Sequence, residues 1–182
     1  MGADRGEPAV EREVCMDRAN PFRHLETRFE RCDSREELHA EVCRSARELT
    51  GAAGTCLVVR EGDLCHHVSV DSDIPLWLGQ RFPMDKCLSG WAIRHQMTAV
   101  APDIHKDTRP AKVVHLPTPV HSVMMCPIID REPVGAIGAC WPNSGVPSAQ
   151  CIAVLEKVAS LAGSALHRFG GWSGHTGSNI TN

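Results

Sequence analysis

Residues 82–141 read FPMDKCLSGWAIRHQMTAVAPDIHKDTRPAKVVHLPTPVHSVMMCPIIDREPVGAIGACW, and the fold turns on this stretch. It opens with a short helix candidate, Leu88–His95, introduced by Leu88-Ser89-Gly90-Trp91. A polar connection rich in His and Pro follows, from Asp103 to His121. Two apolar runs close the stretch, Ser122–Ile129 and Pro133–Trp141, separated by the turn-like Asp130-Arg131-Glu132, and they are expected to be paired strands. Pro127 marks an edge or bulge in the first, and Gly135 and Gly138 leave small faces on the second where a helix or ligand can approach closely. Connections as long as this inside a compact domain usually carry function. The helix and the connection are placed to wall a pocket over a sheet that the two runs help to build.

The flanks supply the rest of that sheet and its helices. Asn20-Pro21 is a helix start signal, and Leu25, Phe29 and Cys32 continue it as one apolar stripe over Pro21–Arg31. Ser34-Arg35-Glu36-Glu37 has the form of a capping box. Leu38, Val42, Ala46 and Leu49 then recur on one face, and Gly51 supplies the stop, giving a helix over Ser34–Thr50. Thr55–Val59 and Leu64–Val70 flank Arg60-Glu61-Gly62-Asp63, which reads as a hairpin. A short strand is expected within Trp77–Phe82 and another at Thr98–Val100. Ser148 caps a last helix, Ser148–His167, with Ile152, Leu155, Ala159, Ala162 and Leu166 along one side. The order of elements predicts an α+β fold, an antiparallel sheet with helices on one side. Residues 1–19 are charged and aperiodic, expected to be a mobile arm. Residues 20–168 form the domain, and 169–182 are a Gly/Ser/Thr-rich tail.

Composition narrows the functions. The chain has 182 residues and a net charge of −3, which argues against nucleic acid as a partner, since that binding rests on clustered Lys and Arg. The longest uncharged apolar runs fall short of the roughly 18–20 residues needed to span a bilayer, so no membrane partner is expected, and the polar N-terminus is no signal peptide. Nine cysteines without a leader suggest free thiols in a reducing, cytoplasmic setting. None has the C-x-x-C spacing of a zinc or iron–sulfur site. Cys65 and His67 alternate onto one face of their strand, two ligands where a metal site needs more.

Read together, several segments resemble a GAF domain, the ligand-sensing module of many signalling proteins, and most of all the GAF sensors of bacterial histidine kinases. The residues that carry the resemblance are Arg81-Phe82-Pro83-Met84, Cys87-Leu88-Ser89-Gly90-Trp91-Ala92, Asp103–Arg109, His121–Ile128 and Pro133–Trp141. The likeness runs from about Ser34 to His167. It implies a GAF-like six-stranded or similar antiparallel sheet with helices packed on one face and a ligand pocket on the other, a homodimer joined through terminal helices, and a signal passed to a histidine kinase or another output domain. The chain is too short to hold such a kinase, so a standalone sensor or a fragment of a larger one is expected. A haem or bilin lies within the family's range. The usual bilin-attachment Cys is absent, for no Cys lies between Trp91 and Val123, and no cyclic-nucleotide signature is seen. An alternative within the family is a thiol-dependent reductase of free methionine sulfoxide, whose cysteine pattern differs from this one.

The candidate ligand-binding residues are Cys87, Trp91, Asp103, His105, His115, His121 and Met125, with no catalytic residue assigned. The histidines would orient a small ligand as polar contacts or ligate a haem. Cys87 stands one residue before the helix candidate, where a thiol becomes more reactive. Val123 and Met125 share one strand face and would line the pocket together with Trp91 and Ile93. Asp103 is expected to cap the connection, while Asp107 and Arg109 are expected to be an exposed pair of little weight.

Overall fold

The computed structural model describes residues 22–109 and 118–170. The proposed arm, the Asn20-Pro21 start signal, His115 and the tail beyond Gly170 lie outside the described residues.

Local rules set most of the boundaries. Helix α1 is Arg23–Glu30, and it buries Leu25 and Phe29. Helix α2 is Arg35–Thr50, with Ser34 Oγ accepting the Glu37 N–H at 3.1 Å. The return half of the expected capping box lands one residue early, for Glu37 accepts from the Asp33 N–H at 2.7 Å. Gly51 ends α2 at φ 64°, a left-handed conformation that costs glycine nothing. Strands β1, Gly54–Glu61, and β2, Leu64–Ser72, pair antiparallel around Gly62. Strand β3 is Arg81–Pro83 and is followed by a 3₁₀ turn, Met84–Lys86. Helix α3 is Leu88–His95, β4 is Ala99–Ala101, β5 is Ser122–Asp130 and β6 is Glu132–Trp141. Helix α4, Ala149–Leu166, is capped by Ser148 Oγ accepting the Cys151 N–H at 3.1 Å.

The strands form one antiparallel sheet in the order β3-β2-β1-β6-β5-β4. Pro127 sits where a strand can tolerate it. Strand β4 pairs only with Val123–Met125, so Pro127 lies past the end of that ladder and its missing N–H leaves no gap. The period of two sorts β5 onto two cores. Met124, Cys126 and Ile128 join the cluster under α1, α2 and α4, whereas Val123 and Met125 join a second cluster on the opposite face. Gly163 lets α4 settle onto β5, where an added Cβ would come within 2.3 Å of the Ile129 carbonyl oxygen. By length and composition Ala149–Phe169 is apolar enough to cross a bilayer, with mean hydropathy 1.3. Here its apolar side, from Leu155 to Leu166, is pressed onto the sheet.

The second cluster decides where a site can be. It contains Cys56, Val58, Cys65, Met84, Ala92, Ile93, Ala99, Ala101, Ile104, Val120, Val123, Met125, Ala136 and Cys140. Many of these are small, and the cover over them is one short helix, α3, plus loop. This face is therefore closed by fewer regular hydrogen bonds than the helical face, which leaves it the more readily opened.

Candidate functional site

Helix α3 crosses the sheet on this second face with Ala92 and Ile93 fully buried beneath it. Its start is set by Cys87, whose extended backbone places Sγ to accept from the Gly90 N–H at 3.4 Å. The Ser89 hydroxyl donates to the same sulfur at 3.2 Å. Cys65, on β2, is part of the cluster against which Cys87 packs. The Cys65 thiol is the largest influence on Cys87 and draws its pKa below the ordinary thiol value. Burial opposes the shift, and the Ser89 and Gly90 donors add to it. Cys65 moves strongly the other way, through the Cys87 thiol and through burial. Gly90 is fixed here by space, since an added Cβ would meet the Met84 carbonyl oxygen at 2.0 Å.

The far wall begins at Asp103. Its Oδ1 accepts the His105 N–H at 3.0 Å, the capping role expected of it, and Lys106 beside it holds the carboxyl below its usual range. The described ends of the connection are tied together, for the Ile104 N–H donates to the His121 carbonyl at 2.8 Å. The rings of His105 and His121 meet edge-on 5.4 Å apart, and both residues are exposed. They stand on the rim. Met125 is 4 % exposed within the cluster, with Gly138 opposite it leaving room for its sulfur.

Arg109 carries more weight than an exposed pair. Its guanidinium forks onto Asp107, whose side chain is only 8 % exposed, and donates to the Val100 carbonyl at 2.6 Å. Burial alone would raise the Asp107 pKa, but the Arg109 donors outweigh it and the net shift is downward. The same guanidinium lies over Trp91, 5.2 Å from the ring centroid. Trp91 is half-buried and stacks on His95 at 4.3 Å, so it serves as a platform between α3 and the connection as well as a packing residue.

Two further groups matter that sequence alone did not single out as ligand-binding. His67 shares the β2 face with Cys65, as alternation requires, and is 2 % exposed. Trp77 and Phe82 meet its ring edge-on at 5.8 and 5.4 Å, and its Nδ1 has no hydrogen-bond partner. Val58 is its cross-strand partner; Cys56, two residues before Val58 on β1, has its thiol shifted well up, first by bonding to Cys140 and then by burial, with His67 opposing. Despite these thiols and imidazoles, the described residues contain no group of three or more His, Cys, Asp or Glu side chains able to hold a metal ion.

The structure thus brings Cys87, Trp91 and Met125 around one cluster and leaves His105 and His121 at its edge. Asp103 instead faces a separate surface hollow of about 510 Å³, shared with Lys106, Asp107 and Ser144. Of the three histidines considered as haem ligands, His105 and His121 are exposed and meet edge-on, while His115 lies outside the described residues, and the thiols on the inner face, Cys56, Cys65 and Cys140, are fully buried in strands.

The chain belongs to the GAF domain family, whose model matches residues 32–167. No curated protein matches it in sequence. Among solved structures it is similar to the GAF domain of the Acinetobacter phosphoenolpyruvate-protein phosphotransferase, at TM-score 0.72 and 11% identity over 90% of this chain and 98% of that one. It is similar to free methionine-R-sulfoxide reductase from Neisseria meningitidis, solved in complex with its substrate, at TM-score 0.70 and 14% identity over 92% and 96%. It is also similar to the chromophore-binding domain of a bacteriophytochrome from R. palustris, at TM-score 0.67 and 16% identity over 91% and 64%. At such identities these likenesses establish the fold.

Proposed function

We propose that this chain is a sensory module that takes a small molecule on the α3 face of its sheet, between α3, the connection 103–121 and strand β5. The carrying observation is the His67 ring, almost wholly buried on that face with Nδ1 unpartnered. Leaving a buried polar atom unsatisfied costs about 1–3 kcal/mol. A ligand that brings a hydrogen-bonding group to Nδ1 recovers that cost, and Met125, Ile93 and Trp91 supply the apolar contacts that accompany it. Cys87 stands at the α3 end of the same wall, and His105 and His121 form its outer, polar rim. Binding favours the closed connection, and the terminal helices carry the change to a second copy of the chain and to an output partner such as a histidine kinase by a population shift. The setting is a bacterial cytoplasm. The family membership and a structural neighbour that is a chromophore-binding domain support this reading.

The test is native mass spectrometry of the chain after incubation with a small-molecule cell extract. The parent retains a bound species, and His67→Phe, which keeps the aromatic contacts, releases it. Retention of nothing by the parent, or equal retention by both, overturns the reading.

A second reading has one observation in its favour. Cys87 is a half-buried thiol with a lowered pKa, and a reductase of free methionine sulfoxide shares the fold. Turnover of free methionine sulfoxide with a dithiol reductant, abolished by Cys87→Ser, would establish that activity in place of the sensor.

A further inference from the structure

The polar residues buried among the described ones are His39, Ser45, Thr55, His67, Ser89 and Ser122. Most of them belong to the helical side of the sheet. His39 and Ser45 lie on α2. The Thr55 hydroxyl donates to the Cys43 carbonyl of α2 at 2.8 Å. Ser122 shares a strand face with Met124, which is in the helical core. His67 and Ser89 remain for the α3 face. The Ser89 hydroxyl gives its one proton to Cys87 Sγ at 3.2 Å. His67 Nδ1 is therefore, among the described residues, the one buried side-chain polar atom on this face without a partner.

Charge and shape narrow what can meet that atom. No Asp, Glu, Lys or Arg is among the buried residues, and Arg109, which lies over Trp91, is already paired with Asp107. A charged molecule brought onto this face would lose its water and find no free opposite charge, a far larger cost than that of a neutral group. The surroundings of the imidazole are aromatic. Trp77 and Phe82 stand edge-on to it at 5.8 and 5.4 Å, and edge-on to each other at 6.5 Å. Trp77 and Trp91 both pack against the same apolar cluster. Flat rings add to such a cluster in edge-to-face and offset contacts.

We propose that the molecule taken by the α3 face is an uncharged aromatic compound whose hydroxyl or N–H group bonds to His67 Nδ1, a phenol being the simplest of the class. This rests on the reading of that face as the ligand site. A phenolic hydroxyl both donates and accepts, so it meets Nδ1 in either ring tautomer, and it is uncharged at neutral pH.

The experiment titrates the full chain, isotope-labelled in nitrogen and held at neutral pH, with p-cresol, toluene, 4-methylbenzoate and 4-methylbenzylamine, which share one tolyl ring. Nuclear magnetic resonance reads binding from the backbone amides and the new hydrogen bond from the His67 ring nitrogens. The expected result is that p-cresol binds at least about tenfold more tightly than each of the other three, because a group that hydrogen-bonds its ligand discriminates against the analogue lacking the hydroxyl. It should also move the Nδ1 resonance, which toluene leaves in place. In His67→Phe, p-cresol should lose its advantage over toluene. Should that variant not fold, the ranking and the Nδ1 resonance of the parent chain decide. Toluene or a charged probe binding as tightly as p-cresol, or p-cresol bound with Nδ1 unmoved, overturns the proposal. Native mass spectrometry with small-molecule cell extract runs alongside. A species bound from extract while none of the probes binds overturns this ligand class and leaves the sensor reading standing. No binding from either source overturns both.

Discussion

The Arg109 guanidinium lies 5.2 Å from the centroid of the Trp91 ring, and this contact joins the connection to α3. The same group holds Asp107 and the Val100 carbonyl, so one side chain secures three segments.

Removing it should therefore cost more than a surface ion pair. Arg109→Ala leaves Asp107 buried without its partner, and a loss of about 2–3 kcal/mol is expected from charge-assisted hydrogen bonds and the ring contact together. Arg109→Lys keeps the charge but loses the planar fork, so it should recover only part of that. Chemical denaturation of the three proteins checks the order. A loss below about 0.5 kcal/mol for Arg109→Ala would return the pair to surface status.

Two glycines of β6 should respond differently to alanine. At Gly135 an added Cβ would come within 2.2 Å of the Val58 carbonyl oxygen, part of a rigid ladder. At Gly138 it would meet Met125 Sδ and Cε at 2.7 Å and Cys56 Sγ at 2.9 Å, and methionine can turn aside. Gly138→Ala is expected to cost about 1–3 kcal/mol and Gly135→Ala more, read as midpoints in urea. The reverse order would contradict the packing described.

Acid should destabilise the fold through His39. Burial, the largest influence, lowers its pKa from the ordinary 6.5 to about 4, with Glu36 raising it and Arg35 lowering it. The unfolded chain takes up this proton first, so the stability present above pH 6.5 is lost as pH falls toward 4, by about 2–3 kcal/mol in all. His39→Gln should flatten this part of the stability–pH curve. An unchanged slope would remove His39 as its source.

Cys87 should alkylate at lower pH than an ordinary cysteine. The groups that set its titration are the Cys65 thiol first, then Ser89 and Gly90, with Asp85 opposing them. Arg94 acts on Cys65 in the same cluster. Cys65→Ala should move the midpoint of the alkylation rate upward, because the strongest donor is gone. A midpoint that stays put would show that Cys65 does not reach Cys87.

What could be read from the sequence follows the range of the forces involved. Ser34, Gly51 and Ser148 mark helix ends by local chemistry, and each acts where its spacing places it. Strand alternation put Val123 with Met125 and Cys65 with His67 on shared faces, and the register agrees. Contacts between distant segments were not legible. Nothing near Arg109 announces Val100 or Trp91, and Arg109 and Asp107 by themselves resemble any surface pair. The packing of Cys87 against the cluster that holds Cys65 depends on how α3 crosses the sheet, and the unpartnered Nδ1 of His67 depends on every neighbour it lacks. The rim histidines drew attention by residue type, whereas the buried imidazole lay within a strand.

The central claim is that a small molecule on the α3 face bonds to His67 and closes the connection. Amide hydrogen exchange of the parent chain and of His67→Phe, each with and without small-molecule cell extract, tests it most directly. The account predicts that extract slows exchange in α3 and in residues 103–109 of the parent and not of the variant. Without extract, the variant should be within about 1 kcal/mol of the parent in stability, because relief of the unpartnered Nδ1 offsets loss of the ring's bond to Cys56. Exchange in α3 and 103–109 that extract leaves unchanged in the parent, or slows equally in both proteins, would contradict it.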